Sequence, residues 1–500
     1  MDSTYAPPAC HPRLDGTDPG LLDAVVHRAA RLSPAQAMQV YHRMPLPELG
    51  RWADARCRAL HGDAVRTYVL DRNINYTNVC TARCTFCAFR RDGDEADAYT
   101  LTHERLHEKI AELVAIGGTQ VLMQGGMNPA LPLDWYVSLL RSIKERFPTV
   151  HVHGFSPPEF IEFVRFFDPP GATLAEKLHW VMVRLRDAGL DSLPGGGGEI
   201  FAPQVRRRIG LGKCSAEEWL TTMAVAHDLG MFTSATMMFG HIEGIADRVH
   251  HMKLVREWQD RALARSGQVA KWPSGVVEEG STALTDSATL PLRHSATCPF
   301  GHYVSFISWP FQRENTPLGR VKDWGARPEE FEQEFPGDTL ANEFLRRGFD
   351  PEIETAQPPE FGRRVRMSGS TDYLRTQALS RLFLDNIYSI GASWVTMGPH
   401  IGQVALAFGA NDMGSVMMEE NVVSSAGTTY CLDEPVLCRL IRGAGFLPAQ
   451  RDNVYDLLKV HDGPDSPDLY VTDWSEHRVK RLHVQAPKAQ TRVGLTVAAR

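Results

Sequence analysis

Apolar residues recur along this chain with two periods, and the two alternate. Over residues 21–60 they fall three and four apart, which predicts helix. Ser33-Pro34 marks a start within that stretch, since serine can cap free N–H groups and proline fits a first turn. Residues 63–76 then predict a strand. Helical spacing returns over 102–116, 133–147, 174–188, 216–229, 373–386 and 401–408. Strand-like runs separate them at 120–124, 150–155, near 192, 233–239, 304–309 and 391–396, with a further short segment at 409–412. Such alternation predicts parallel strands joined by crossover helices, an α/β fold of the (β/α)8 barrel type. Glycines and polar residues follow the strands repeatedly, at the barrel end where active sites are built.

Two stretches break the rhythm, 260–302 and 319–370, both rich in Pro, Ser, Gly and charge. Loops of that length are usually lids or insertions. The second has helical stretches over 328–348. The expected organisation is a disordered N-terminus (1–20), a helical extension (21–62), a barrel core (63–318, interrupted at about 260–302), an insertion (319–370) and a C-terminal part of the barrel with a tail (371–500).

Composition narrows the class. Hydrophobic residues make up 43% and charged residues 23% of 500, ordinary for a globular enzyme with a large core. The net charge of −7 gives no nucleic-acid footprint. The N-terminal stretch lacks the apolar centre of a signal peptide, and no run of about 18 apolar residues predicts a membrane span. Nine cysteines, three clustered and the others scattered, fit a reducing compartment rather than a disulfide scaffold. The expectation is a soluble cytoplasmic enzyme without membrane or nucleic-acid partners.

The clustered cysteines carry the chemistry. Cys80, Cys84 and Cys87 are spaced C-x3-C-x2-C. Three thiolates so placed can hold three irons of a 4Fe–4S cluster, leaving the fourth iron open to an exogenous ligand. A zinc site would need a fourth ligand from Cys57, Cys214 or a distant histidine. His294, Cys298 and His302 form a second, weaker metal hint in the first insertion.

This spacing resembles that of the radical S-adenosylmethionine (SAM) enzymes. Further stretches are similar to the menaquinone and deazaflavin branch of that superfamily: Asn75–Val79, Gln124–Pro129, Ser156–Glu159, Leu193–Gly197, Thr236–Glu243, Trp309–Gln312, Tyr373–Arg375, Gly391–Thr396, Gly409–Asp412 and Met417–Val422. The Gln-Gly-Gly, Ser-Pro-Pro-Glu and Trp-Pro-Phe-Gln pieces resemble the dehypoxanthine futalosine cyclases in particular. That resemblance implies a 4Fe–4S cluster, SAM, a small-molecule substrate and an external electron donor. It also implies hydrogen abstraction at C4′ by a 5′-deoxyadenosyl radical, then closure onto the substrate's aromatic ring with loss of a proton and an electron. Arg313 and the longer insertions depart from the family pattern.

Roles follow motif by motif. The resemblance assigns Cys80, Cys84 and Cys87 to the cluster and Phe86 to the adenine. It assigns Gln124, Gly125 and Gly126 to the SAM amino group. Ser156, Glu159 and Glu199 follow strands, where they suit ribose hydroxyls or substrate; the alternatives are N-caps or exposed carboxylates. His241 and Glu243 fall near the adenosine site. His241 is the first candidate base, because imidazole titrates near neutrality; the alternative is a satisfied core histidine. Arg313, Asn315, Asn411 and Asp412 are candidates for orienting substrate. Arg206-Arg207-Arg208 could attract an anion or form a solvated face. Competing functions are aminofutalosine synthase, the tyrosine-using half of the deazaflavin synthase, and a non-catalytic iron–sulfur or zinc protein.

Overall fold

The computed structural model describes residues 18–210, 212–265, 300–321, 365–428, 430–475 and 477. Expectations for the first seventeen residues, for His294 and Cys298, and for helix over 328–348 lie outside these. Eleven strands are found among the described residues: β1 (Val65–Val69), β2 (Asp71–Asn75), β3 (Gln120–Gln124), β4 (His151–Gly154), β5 (Ser192–Leu193), β6 (Phe232–Phe239), β7 (Tyr303–Pro310), β8 (Ser389–Gly391), β9 (Asp412–Ser415), β10 (Leu447–Arg451) and β11 (Leu457–Val460).

Only Leu70 separates β1 from β2, so the two are halves of one strand. The β2 half pairs in parallel with β3, from Asp71 opposite Gln120 to Asn75 opposite Gln124. The β1 half pairs with β9 through Thr67 and Asp412. With β3 to β9 joined in order between them, the sheet closes on itself, and β1/β2 through β9 make the expected eight parallel positions. Helices cover its outer face, as parallel strands buried on both sides require.

The chain between strands obeys local rules. Ser33 caps the helix Pro34–Arg43, and its hydroxyl and Gln36 exchange both bonds of a capping box. The helices Pro34–Arg43 and Leu46–His61 pack on the barrel helix Ser370–Phe383, burying Met38, Val40, Leu49 and Ala53. Ion pairs tie the neighbouring helix Ile245–Arg265 to both sides of that seam: its Arg248 joins Asp372 at 2.8 Å, and its Asp260 joins Arg31 at 2.8 Å. No helix among the described residues is long and apolar enough to cross a membrane.

Four sequence expectations change. The first insertion starts later, because the helix Ile245–Arg265 runs through its proposed beginning. The strand over 391–396 stops at Gly391, because the chain then turns into the short helix Trp394–Met397, held by Met397 N–H on the Ser393 carbonyl. The segment at 409–412 leads into β9. Finally, a parallel strand and an antiparallel return, β10 and β11, extend the sheet beside β1. The last residue of β10, Arg451, and two residues of the turn after it, Asn453 and Tyr455, reach the barrel floor.

Candidate active site

The C-terminal ends of the strands converge on a cavity of about 350 Å³ inside the barrel. The cysteine loop begins two residues after Tyr76, which follows β2. It is stitched in place from several sides. Thr81 N–H donates to the Met127 carbonyl at 3.0 Å, Thr85 N–H to Ile209 at 2.9 Å, and Leu318 N–H to the Thr85 carbonyl at 2.7 Å. Burial, the largest influence, pushes the Cys84 thiol up to about 12, while Lys213 opposes it and the Cys87 and Cys80 thiols add to it. Cys84 therefore lies close enough to the other two sulfurs to feel their charge, in a half-buried setting that disfavours a free thiolate there and suits a metal-bound one.

The donor set suits a cluster. Among the described residues no three His, Cys, Asp or Glu side chains close round a single ion. The proposed fourth zinc ligands are occupied elsewhere. Cys57 Sγ faces the Ala410 carbonyl at 3.6 Å, and Cys214 Sγ accepts from Arg206 at 3.5 Å. His302, from the second metal hint, is buried edge-on against Phe232.

The turn after β3 abuts the cysteine loop without side chains. A Cβ on Gly126 would lie 2.1 Å from the Val79 carbonyl oxygen, so only glycine allows the approach. Gly125 N–H donates to Glu159 Oε1 at 3.1 Å. Glu159 also accepts from Tyr76 Oη at 2.6 Å, from Ser156 N–H at 2.7 Å and from Ser156 Oγ at 2.6 Å. Ser156 and Glu159 therefore form the capping box of the helix Pro157–Phe167, with the carboxylate saturated inside the fold. This corrects their assignment as ligand contacts: they position the Gly125 turn. Gln124 does line the cavity, and its Nε2 would sit 2.3 Å from a Cβ on Gly196.

Glu199 sits in a left-handed conformation, φ 41°, after the glycine-rich turn that follows β5. Lys213 Nζ donates to its Oε1, and Oε2 is buried without a hydrogen-bond partner. Burial works against the Lys213 ammonium, yet Glu199 and Cys84 carry its pKa above the usual lysine value. The same Nζ lies 4.9 Å from the Phe86 ring centre. Phe86, Lys213, Glu199 and the cysteines thus form one partly buried cluster. Sequence reasoning missed Lys213, which no motif marked.

The candidate catalytic pair does not face the cavity. His241 and Glu243 side chains are fully buried. His241 Nδ1 lies 2.8 Å from Ile242 N, and Nε2 lies 3.1 Å from the Met238 carbonyl. Glu243 accepts from Gly240 N–H at 2.6 Å, His241 N–H at 2.8 Å and Arg248 Nε at 2.9 Å. Burial alone would raise Glu243, but His241, Arg248 and those amides hold it below the usual carboxylate range. Burial lowers His241. The pair locks the turn after β6, so the core-histidine alternative prevails.

The substrate candidates separate likewise. Arg313 is exposed and donates to the Gly319 carbonyl at 2.9 Å, and exposed Asn315 donates to Ser425 at 3.0 Å; neither lines the cavity. Asn411 Oδ1 accepts from Arg381 at 2.6 Å and Ile390 N–H at 2.8 Å, a structural role beneath the site. Asp412 alone reaches the cavity, on its floor, paired with Arg451 at 2.6 and 2.9 Å. Arg206 is also structural: it is buried and donates to the Gly197 and Gly198 carbonyls, each at 2.9 Å, and so fixes the glycine turn.

Polar groups that no motif reading selected line the interior. Asn73 Nδ2 donates to Glu420 Oε2 at 2.9 Å, and its Oδ1 has no partner. Gln120 Oε1 is also unpartnered. His153 of β4 faces inward two residues after His151. A signal existed in the sequence: histidines at i and i+2 of a strand share a face, and parallel barrel strands are normally apolar.

A family profile described as the radical SAM superfamily matches residues 74–255, and one described as the CofH/MqnC C-terminal region matches residues 361–463. The chain is 33% identical to a cyclic dehypoxanthine futalosine synthase of Halalkalibacterium halodurans, over 89% of this chain and 97% of that one. It is 34% identical to a 5-amino-6-(D-ribitylamino)uracil–L-tyrosine 4-hydroxyphenyl transferase of Methanopyrus kandleri, over 89% and 95%. The fold is similar to that of the FeFe-hydrogenase maturase HydG from Carboxydothermus hydrogenoformans, with TM-score 0.54 at 13% identity, over 87% of this chain and 80% of that one. Members of the superfamily use a 4Fe–4S cluster and SAM, which the three thiols and the glycine-lined turn beside them fit. The chain belongs to the radical SAM enzymes, in the family that holds the cyclic dehypoxanthine futalosine synthases, the aminodeoxyfutalosine synthases and the FO synthases.

Proposed function

We propose that this enzyme is the cyclase that converts dehypoxanthine futalosine to its cyclic form in menaquinone biosynthesis. The observation that carries the reading is the interior cavity at the strand ends. Apolar walls that include Leu122, Ile307 and Trp394 suit an aryl ring, and a polar floor that includes Asp71, Asn73 and Gln120 suits a hydroxylated chain. One molecule bearing both ends can then fold on itself. Identity of 33% and 32% to relatives named cyclic dehypoxanthine futalosine synthase adds support.

Cys80, Cys84 and Cys87 would hold the cluster, which with SAM supplies a 5′-deoxyadenosyl radical. Gln124, Gly125 and Gly126 offer the backbone edge nearest the cysteine loop, and Phe86 an apolar ring face for the adenine. The chain's own work is to bind, orient and exclude water. An external protein donor of one electron completes the requirement.

The transferase and aminodeoxyfutalosine readings rest on comparable identities of 34% and 30%. Product analysis separates them. The protein is loaded with iron and sulfide without oxygen, then given SAM, dithionite and dehypoxanthine futalosine, and the products are weighed by mass spectrometry. Substrate-dependent 5′-deoxyadenosine with a product lighter by a hydrogen pair is expected. SAM cleavage with the substrate intact would overturn the cyclase reading.

A further inference from the structure

Two histidines and a serine form a continuous chain inside the barrel wall. His153 lines the cavity, and its Nδ1 lies 2.6 Å from Ser192 Oγ. On its far side the same Oγ lies 2.6 Å from His151 Nε2. A third partner, Asn453 Nδ2, donates to that oxygen at 3.0 Å. His151 is only half-buried, and the Lys144–Asp191 ion pair, 2.6 Å, stands nearby.

Hydrogen-bond counting turns this cluster into a directed wire. A serine hydroxyl has one hydrogen and two lone pairs. The Asn453 amide takes one lone pair, so the hydrogen and the other lone pair are left for the two imidazoles. One ring must therefore donate to Ser192 while the other accepts. When His153 donates through Nδ1, its Nε2 is bare. No hydrogen bond from the described residues reaches that nitrogen, and the ring borders the cavity.

We propose that His153 is the base that removes the ring proton after radical closure, and that Ser192 and His151 carry the proton out of the barrel. This rests on the cyclase reading. Addition of the carbon radical to the aryl ring leaves an sp3 carbon that still bears hydrogen. His153 Nε2 forms a bond to that hydrogen as a proton, and the C–H electron pair stays in the ring. The proton on Nδ1 passes to Ser192 Oγ, whose own proton passes to His151 Nε2. The surplus electron of the ring departs separately to a one-electron acceptor of the iron–sulfur class.

The direction of transfer is favourable. Burial, and then His151 and Arg451, hold His153 well below the usual histidine value. Burial also lowers His151, to about 4, although Asp191 opposes the shift. Both rings are thus neutral near pH 7, and each offers a bare nitrogen. A weak base suffices here, because departure of this proton and of the surplus electron together restores the aromatic ring and makes the pair of losses downhill. At the outer end Asp191 favours the positive charge and Lys144 disfavours it, whereas at the inner end His151 and Arg451 both disfavour it.

Two measurements test the wire. The first is product analysis with freeze-quench electron paramagnetic resonance on wild type, His153→Gln and Ser192→Ala. With wild type cyclising, His153→Gln should still form 5′-deoxyadenosine, while cyclised product falls about 100-fold or more and a substrate radical persists. Ser192→Ala should give a smaller loss of the same kind. The second is nitrogen-15 NMR of histidine side chains in the unreduced wild-type protein, which should find His153 protonated at Nδ1 and bare at Nε2. Product from His153→Gln within twofold of wild type, or a His153 ring protonated at Nε2, overturns the wire alone. A wild type that cleaves SAM without cyclising overturns the cyclase reading and the wire with it.

Discussion

The Glu159 carboxylate holds the Gly125 backbone N–H at 3.1 Å, and so ties the first turn of one helix to the turn that meets the cysteine loop. Three further donors, from Tyr76 and Ser156, end on the same carboxylate. Burial is the largest influence on Glu159 and raises its pKa, with these bonds opposing. Glu159→Ala leaves four donors without an acceptor in a dry site, a cost on the order of 3 kcal/mol. Thermal unfolding and SAM titration should both show the loss. A variant with wild-type stability and SAM affinity would mean the turn is held by other contacts.

Lys213 stands between Glu199 and the cysteine loop. Lys213→Met leaves Glu199 buried without its cation, which costs about 3–5 kcal/mol. It also removes a positive charge beside the cluster ligands, so the reconstituted cluster becomes harder to reduce. A redox titration followed by electron paramagnetic resonance should show a more negative midpoint. An unmoved midpoint would place the lysine's influence elsewhere.

His241 and Glu243 are predicted to matter for folding rather than for chemistry. Glu243→Ala leaves two backbone amides without an acceptor and Arg248 with Asp372 as its remaining carboxylate, and should cost on the order of 3 kcal/mol in chemical denaturation. His241→Gln should lower the melting temperature but leave the ratio of cyclised product to 5′-deoxyadenosine unchanged. A collapse of that ratio in a well-folded His241→Gln protein would restore histidine 241 as the base.

Asp71 gives a pH signature. Burial, the largest influence, raises its carboxyl to about 6, while the Ser415 hydroxyl and Gln120, at 3.3 Å, pull it down. The folded state therefore binds this proton more tightly than the unfolded chain. The stability contribution is complete below pH about 4 and is lost as pH rises through about 6. Asp71→Asn keeps the shape and cannot titrate. The wild-type advantage over this variant should shrink by roughly 2–3 kcal/mol between pH 4 and 7. A difference that stays flat across that range would count against a buried, titrating Asp71.

Much of the fold was legible because it obeys local rules. The helices Leu133–Arg146 and Leu174–Ala188 and the strand Gln120–Gln124 fall where the apolar spacing puts them. The strand over 391–396 was misread since Ala392, Trp394 and Val395 are apolar, yet sequence spacing cannot report that strand pairing ends at Gly391. The cysteines were legible because cluster ligands must lie within one short loop. The base was not. His241 and His153 both follow the same logic of a histidine at or near a strand end, and only packing shows which one is sealed in and which borders the cavity.

The sequence by itself determined the reaction class and the alternation of strands and helices, since ligand spacing and residue period are properties of neighbouring positions. Only the tertiary structure decided which polar groups face the interior. Glu159 lies 83 residues from Tyr76, Asp412 lies 39 from Arg451, and Asn453 lies 261 from Ser192. Whether such a side chain is spent on a buried partner or left to meet a substrate depends on burial and hydrogen-bond count, and both exist only once the barrel has closed.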